Sequence, residues 1–134
     1  MVVNMKNKKG FTLIELLCVI AILAVVTTIA SASVVNLSNK SKNNLYCAKL
    51  EMISSAAKSY AVNHEYELNQ STNFYEGYKS LKITVNDLLK NGNISPDKED
   101  TVLNPKDNSS LNDLEIILYL KNNQVYVDID NNIC

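Results

Sequence analysis

The sequence predicts an α+β chain in which one long N-terminal helix carries a small antiparallel sheet. Three observations predict it. Phe11 to Val35 is an almost unbroken apolar run. No Gly or Pro occurs between Phe11 and Glu76, so a helical pattern can continue well past that run. Near the end, Leu114–Leu120 and Val125–Ile129 are β-rich runs with a short polar connection. A length of 134 residues gives room for one small domain with its own core. The averages, 46% hydrophobic and a net charge of −1, hide an uneven distribution. Apart from Glu15, nothing from Phe11 to Asn39 is charged, and all 13 basic residues are lysines. Lys6, Lys8 and Lys9 precede the apolar run, so the chain after Gly10 sets ten lysines against fourteen acids, net −4. That balance supplies no clustered cationic surface for phosphates, and no direct nucleic acid binding is expected.

At a rise of about 1.5 Å per residue, a helix over residues 11–35 exceeds the ~30 Å of a bilayer's hydrocarbon core. Three lysines stand before it, while Lys40 and Lys42 lie farther beyond its end. The N-terminus is therefore expected in the cytoplasm and the rest of the chain outside, anchored in the cytoplasmic membrane. An ordinary secretory signal is the competing assignment, because Ala30-Ser31-Ala32 has the small-residue pattern of a cleavage site. The run is longer than the 7–15 residues of a typical signal core, and it carries a carboxylate. Cys18 as a lipoprotein cysteine is disfavoured, since bulky Leu17 stands where a small residue is wanted. There it acts as a small hydrophobe.

Beyond the apolar run, Tyr46, Leu50, Ile53, Ala57, Tyr60 and His64 recur at steps of three and four, one stripe of an amphipathic helix over residues 36–68. Tyr and Ala in the stripe fit a sheet-backing helix better than a coiled coil. Residues 69–134 form the head. Gln70–Ser80 is expected as a loop punctuated by Gly77. Ile83–Gly92 is expected to hold a short helix, with Thr84 or Asn86 as N-cap, Asp87 in its first turn and Gly92 just past its end. Ser95–Ser110, with Pro96 and Pro105, is expected as a loop. The two C-terminal runs form a hairpin with a longer turn through Lys121-Asn122-Asn123-Gln124. Two strands alone are marginal, so this sheet must lie on the amphipathic half of the helix.

Glu15 is the anomaly of the apolar run. A carboxylate in a membrane segment costs roughly 2.5–3.5 kcal/mol on insertion scales and is usually paired. It follows Lys8-Lys9-Gly10-Phe11-Thr12-Leu13-Ile14, and the whole stretch through Leu16 resembles the class III signal of type IV pilins and pseudopilins. The resemblance implies a leader of residues 1–10, removed by a membrane-embedded prepilin peptidase between Gly10 and Phe11, and N-methylation of Phe11. It implies that Glu15 pairs with the N-terminal amine of a neighbouring subunit during filament assembly. An ammonium and a carboxylate stranded in an apolar medium lower each other's desolvation cost, so the physics agrees. Gly10 also suits an accessible scissile bond, having no side chain and little helix propensity. The implied fold is the pilin lollipop, and a short helix ending in glycine is similar to that of Gram-positive members. Many major pilins carry a glycine and a proline where this chain has Ala24 and Ala32, which points to a minor pilin or a pseudopilin.

The remaining candidates are weighed on the residues. An extracytoplasmic head permits a Cys47–Cys134 disulfide, contributing roughly 4 kcal/mol in the loop-entropy model. Unpaired thiols and an intermolecular bridge stay open. His64 has no second His or Cys near it in sequence and is expected to pack, not to bind metal. Asp128, Asp130 and Asn132 alternate like calcium-loop ligands, but no glycine turn or closing Glu follows. Neither a metal nor a cofactor is expected. With one His and no nucleophile–base pair, the chain is not expected to be an enzyme. The expected partners are other pilin subunits, the prepilin peptidase, an assembly ATPase with its membrane platform protein, and the cytoplasmic membrane. The alternative function is a secreted or membrane-anchored extracytoplasmic binding module.

Overall fold

The computed structural model describes residues 10–129 and Cys134, with backbone alone at 29–32. Residues 1–9 of the expected leader, the side chains of Ala30-Ser31-Ala32, and Asp130 and Asn132 lie outside the described residues. The chain divides between Ser38 and Asn39 into an N-terminal helical unit and a head. The element order is α1 (Leu13–Asn63), α2 (Glu65–Gln70), β1 (Phe74–Tyr75), β2 (Tyr78–Thr84), α3 (Val85–Lys90), β3 (Glu115–Lys121) and β4 (Gln124–Ile129). The fold is α+β, a long N-terminal helix with one antiparallel sheet in the order β1-β2-β3-β4.

Within the N-terminal unit, α1 presents its apolar side chains outward. Leu13 is 82% exposed and Leu23 56%. Thr27 and Thr28 satisfy their own hydroxyls on this surface, donating to the carbonyls of Ala24 (2.9 Å) and Val25 (2.7 Å). Among the described residues, α1 is the one helix long and apolar enough to cross a membrane.

Within the head, the stripe lies where its spacing places it. Tyr46, Leu50, Ile53, Ala57 and Tyr60 are all buried, against Ile83, Ile116 and Leu118 on the inner face of the sheet. The helix does not run unbroken to Leu68. At His64 the backbone leaves helical geometry (φ −117°, ψ 26°), and α2 restarts one residue later. The His64 ring stacks on Tyr60 at 4.0 Å, with Nδ1 2.9 Å from the Tyr60 carbonyl. The restart carries Leu68 fully into the core.

Two expectations for the head need correction. Gln70–Ser80 is not a loop throughout, since Phe74–Tyr75 pairs with Tyr78–Lys79 as the first hairpin of the sheet. Its turn is Glu76-Gly77, both at positive φ (49° and 84°). The C-terminal turn is also shorter than expected. Lys121 pairs directly with Gln124, leaving a two-residue turn of Asn122 (φ 51°) and Asn123 (φ 61°). Two consecutive left-handed residues match the right-handed twist of the flanking strands, and asparagine tolerates that conformation well.

Thr84 ends β2 and caps α3. Its amide donates to Asp87 Oδ2 (2.8 Å), and the Asp87 amide donates back to Thr84 Oγ1 (3.4 Å). Gly92, at φ +72°, takes the left-handed position past the helix end. The segment after α3 is irregular yet firmly packed, with Val102 fully buried. Asn112 replaces missing secondary structure there. Its Oδ1 accepts from the Val102 amide (2.9 Å) and its Nδ2 donates to the Asp100 carbonyl (2.8 Å).

Candidate functional site

The N-terminal site is built by the first turn of α1. Thr12 precedes the helix, and its amide and hydroxyl both donate to Glu15 Oε2, at 2.9 and 3.0 Å. The Glu15 amide donates back to Thr12 Oγ1 at 3.3 Å. This is a reciprocal capping box, which satisfies otherwise orphaned amides and sets a carboxylate at the positive end of the helix. Within one chain, Glu15 is thus a helix-starting residue. The pattern Thr12-Leu13-Ile14-Glu15 carries this signal in the sequence, as a Thr-x-x-Glu spacing just ahead of an apolar run. Oε1 has no hydrogen bond among the described residues, so half of the carboxylate is open to an outside donor. Gly10 and Phe11 lie just ahead of the cap. A Cβ on Gly10 would meet nothing within 4 Å, and Phe11 is 87% exposed, so the bond between them is open to approach.

In the head, Cys47 of α1 and Cys134 form a disulfide with a Cα–Cα distance of 5.7 Å, closing 87 residues of sequence. Cys18 is a free, exposed cysteine of the N-terminal unit. His64 is committed to Tyr60 as described. Asp128 accepts a hydrogen bond from the Tyr75 hydroxyl, which together with burial pushes the Tyr75 phenol up to about 12. Among the described residues, no three His, Cys, Asp or Glu side chains gather where they could hold a metal ion.

Two features of the head escaped the sequence. Lys49, on α1, donates to both oxygens of Asp97 at 2.7 Å, and the Leu103 amide donates to Asp97 Oδ2 at 2.8 Å. Burial pushes the Asp97 carboxyl up, but the Lys49 and Leu103 bonds outweigh it and hold the group below the usual carboxylate range. This pair ties the irregular segment to the helix across 48 residues, a distance that no local pattern reveals. The second feature is a row of tyrosines on the outer face of the sheet. Tyr119 lies 5.3 Å from Tyr75, 6.2 Å from Tyr78 and 5.5 Å from Tyr126, centroid to centroid, so every strand contributes one ring. Cross-strand aromatic contacts of this kind strengthen a sheet whose other face alone meets the core.

Residues 5–31 match the family described as the prokaryotic N-terminal methylation motif. No curated protein and no solved structure matches the chain. The matched segment spans the open Gly10–Phe11 bond, the Thr12–Glu15 cap and most of the apolar half of α1, so the chain carries, ahead of its α+β head, the class III methylation signal characteristic of type IV pilins and pseudopilins.

Proposed function

We propose that the chain is a structural subunit of a type IV pilus or pilus-like filament, in the role of a minor pilin or pseudopilin. The observation that carries this reading is the contiguous signal itself: a basic leader ending in Gly10, Phe11 next, and Glu15 at the head of an otherwise uncharged helix. The leader holds the N-terminus in the cytoplasm and α1 holds the precursor in the cytoplasmic membrane. The prepilin peptidase hydrolyses the Gly10–Phe11 amide, releasing residues 1–10 and exposing the Phe11 amine, which is then methylated. An assembly ATPase and membrane platform protein draw the subunit from the bilayer, and apolar helix surfaces pack together in the filament. Glu15 presents its free Oε1 to the Phe11 ammonium of a neighbour while Thr12 continues to hold Oε2. Each charge then replaces lost water with an opposite charge, which favours one axial register over others.

N-terminal sequencing and intact mass of the mature protein test the reading. A start at N-methylated Phe11 supports it. A start at Ser33 would identify a secreted module cleaved after Ala30-Ser31-Ala32, and an intact Met1 a simple membrane anchor; either result overturns the filament assignment.

A further inference from the structure

Within the head, a groove follows α1 on a side that the sheet does not cover. One cavity of about 330 Å³ sets Leu45, Ala48 and Met52 against Pro105. A second, of about 530 Å³, sets Met52 and Ala56 against Ile94 and Pro96. Lys49 and Met52 line both, so the two form one depression about three helical turns long, from Leu45 to Ala56. Leu45 (56%) and Met52 (46%) are large apolar side chains left exposed there. Three polar side chains of the groove are already engaged. Lys49 binds both carboxylate oxygens of Asp97, whose Oδ2 also accepts from the Leu103 amide. The Ser55 hydroxyl donates to the Glu51 carbonyl at 3.0 Å. Pro96 and Pro105 bring no amide to the walls. A surface that is apolar and charge-balanced does not suit an acidic or basic peptide, nor a strand, which would leave its own backbone unpaired. It suits an uncharged helix, whose amides and carbonyls are satisfied internally.

We propose that the groove receives the apolar half of α1, residues 16–28, from a second copy of the chain. The contact rests on the filament reading and adds to it the head surface that meets the apolar helix. Residues 16–28 carry no charge, and their own chain leaves large side chains such as Leu16 (61%) and Val25 (60%) open. In the bilayer lipid covers them; outside it they need protein. Under that reading every α1 leaves the membrane in the same direction, so a neighbour's helix arrives parallel to the groove, which itself follows α1. Ala48 and Ala56, being small, let the two helices approach closely. Groove and guest are different parts of one chain, so the contact is heterologous. Each copy gives its helix to one neighbour and its groove to another, and the series extends as a filament. The guest precedes the groove in sequence, so it comes from a copy farther out along the filament. The head arriving at the membrane surface thus covers a helix that has already left the lipid.

The test puts a photoreactive benzophenone amino acid in place of Met52, in the full-length chain and in cells that assemble the filament, and maps its cross-links by mass spectrometry. Cross-links to residues 16–35 of another copy are expected. The same probe in place of Tyr126, on the outer face of the sheet, should give none there. Met52→Glu should cut incorporation of processed subunit into filaments roughly tenfold or more, because a carboxylate would be buried against an apolar helix, while Met52→Leu keeps it. The Cys47–Cys134 bond and the urea midpoint of Met52→Glu should match the parent, since Met52 lies outside the core cluster. Filaments in which the Met52 probe reaches only other heads, other proteins or lipid overturn the proposal and leave the filament reading standing. So does normal incorporation of Met52→Glu. A chain that enters no filament overturns both.

Discussion

Glu15 meets one demand inside its own chain and, under the filament reading, a second outside it. Thr12 occupies Oε2 with two hydrogen bonds, which starts the helix, while Oε1 has no partner among the described residues. Under the filament reading, Glu15→Ala should leave cleavage intact, since it does not alter the Gly10–Phe11 bond. It should strongly reduce incorporation, scored as filament yield against total processed subunit. Normal yield would remove the pairing role. At Asp97 the consequence is a pH dependence. Its folded carboxyl titrates below an ordinary aspartate, so its stabilisation is present above about pH 4 and is lost as acid approaches the lower folded value. The pair is partly exposed, so the effect is about 1 kcal/mol or less. Asp97→Asn should therefore flatten the acid limb of a melting-temperature profile between pH 5 and 2, taken in roughly half-unit steps.

At the level of elements, the signals that proved readable were those written within a few residues. Thr84, Asp87 and Gly92 mark the start and end of α3 by capping chemistry alone, and all three take those positions. Thr84→Ala should lower stability by ~1 kcal/mol in urea denaturation, with a smaller loss for Thr84→Ser, which keeps the accepting oxygen. The first hairpin escaped notice because β1 has only two residues, too few to display alternation, and sits between polar stretches. Its pairing depends on β2, which gains its own strand character from β3. The break at His64 was hidden for a related reason. His64 continues the three-four spacing faithfully, and only its stacking on Tyr60 and the burial of Leu68 show why the backbone departs there.

At the scale of the molecule, the head closes a modest core with long-range ties. The Cys47–Cys134 bridge joins the start of the head's helix to the chain's last residue. Cys134→Ser should lower the stability of the head by roughly 4 kcal/mol, because an uncrosslinked chain of this loop length regains that much unfolded-state entropy. Urea denaturation with and without reductant checks it: reductant should destabilise the parent and leave the variant unchanged. By itself the sequence determined the class III methylation signal, the apolar helix, the buried stripe and the caps of α3, because each depends on residues within one or two turns of one another. The tertiary structure decided the four-strand order, the break at His64, the Lys49–Asp97 tie and the tyrosine row. Those arise from groups dozens of residues apart, whose meeting is fixed by the packing of the whole head and leaves no period or spacing in the chain.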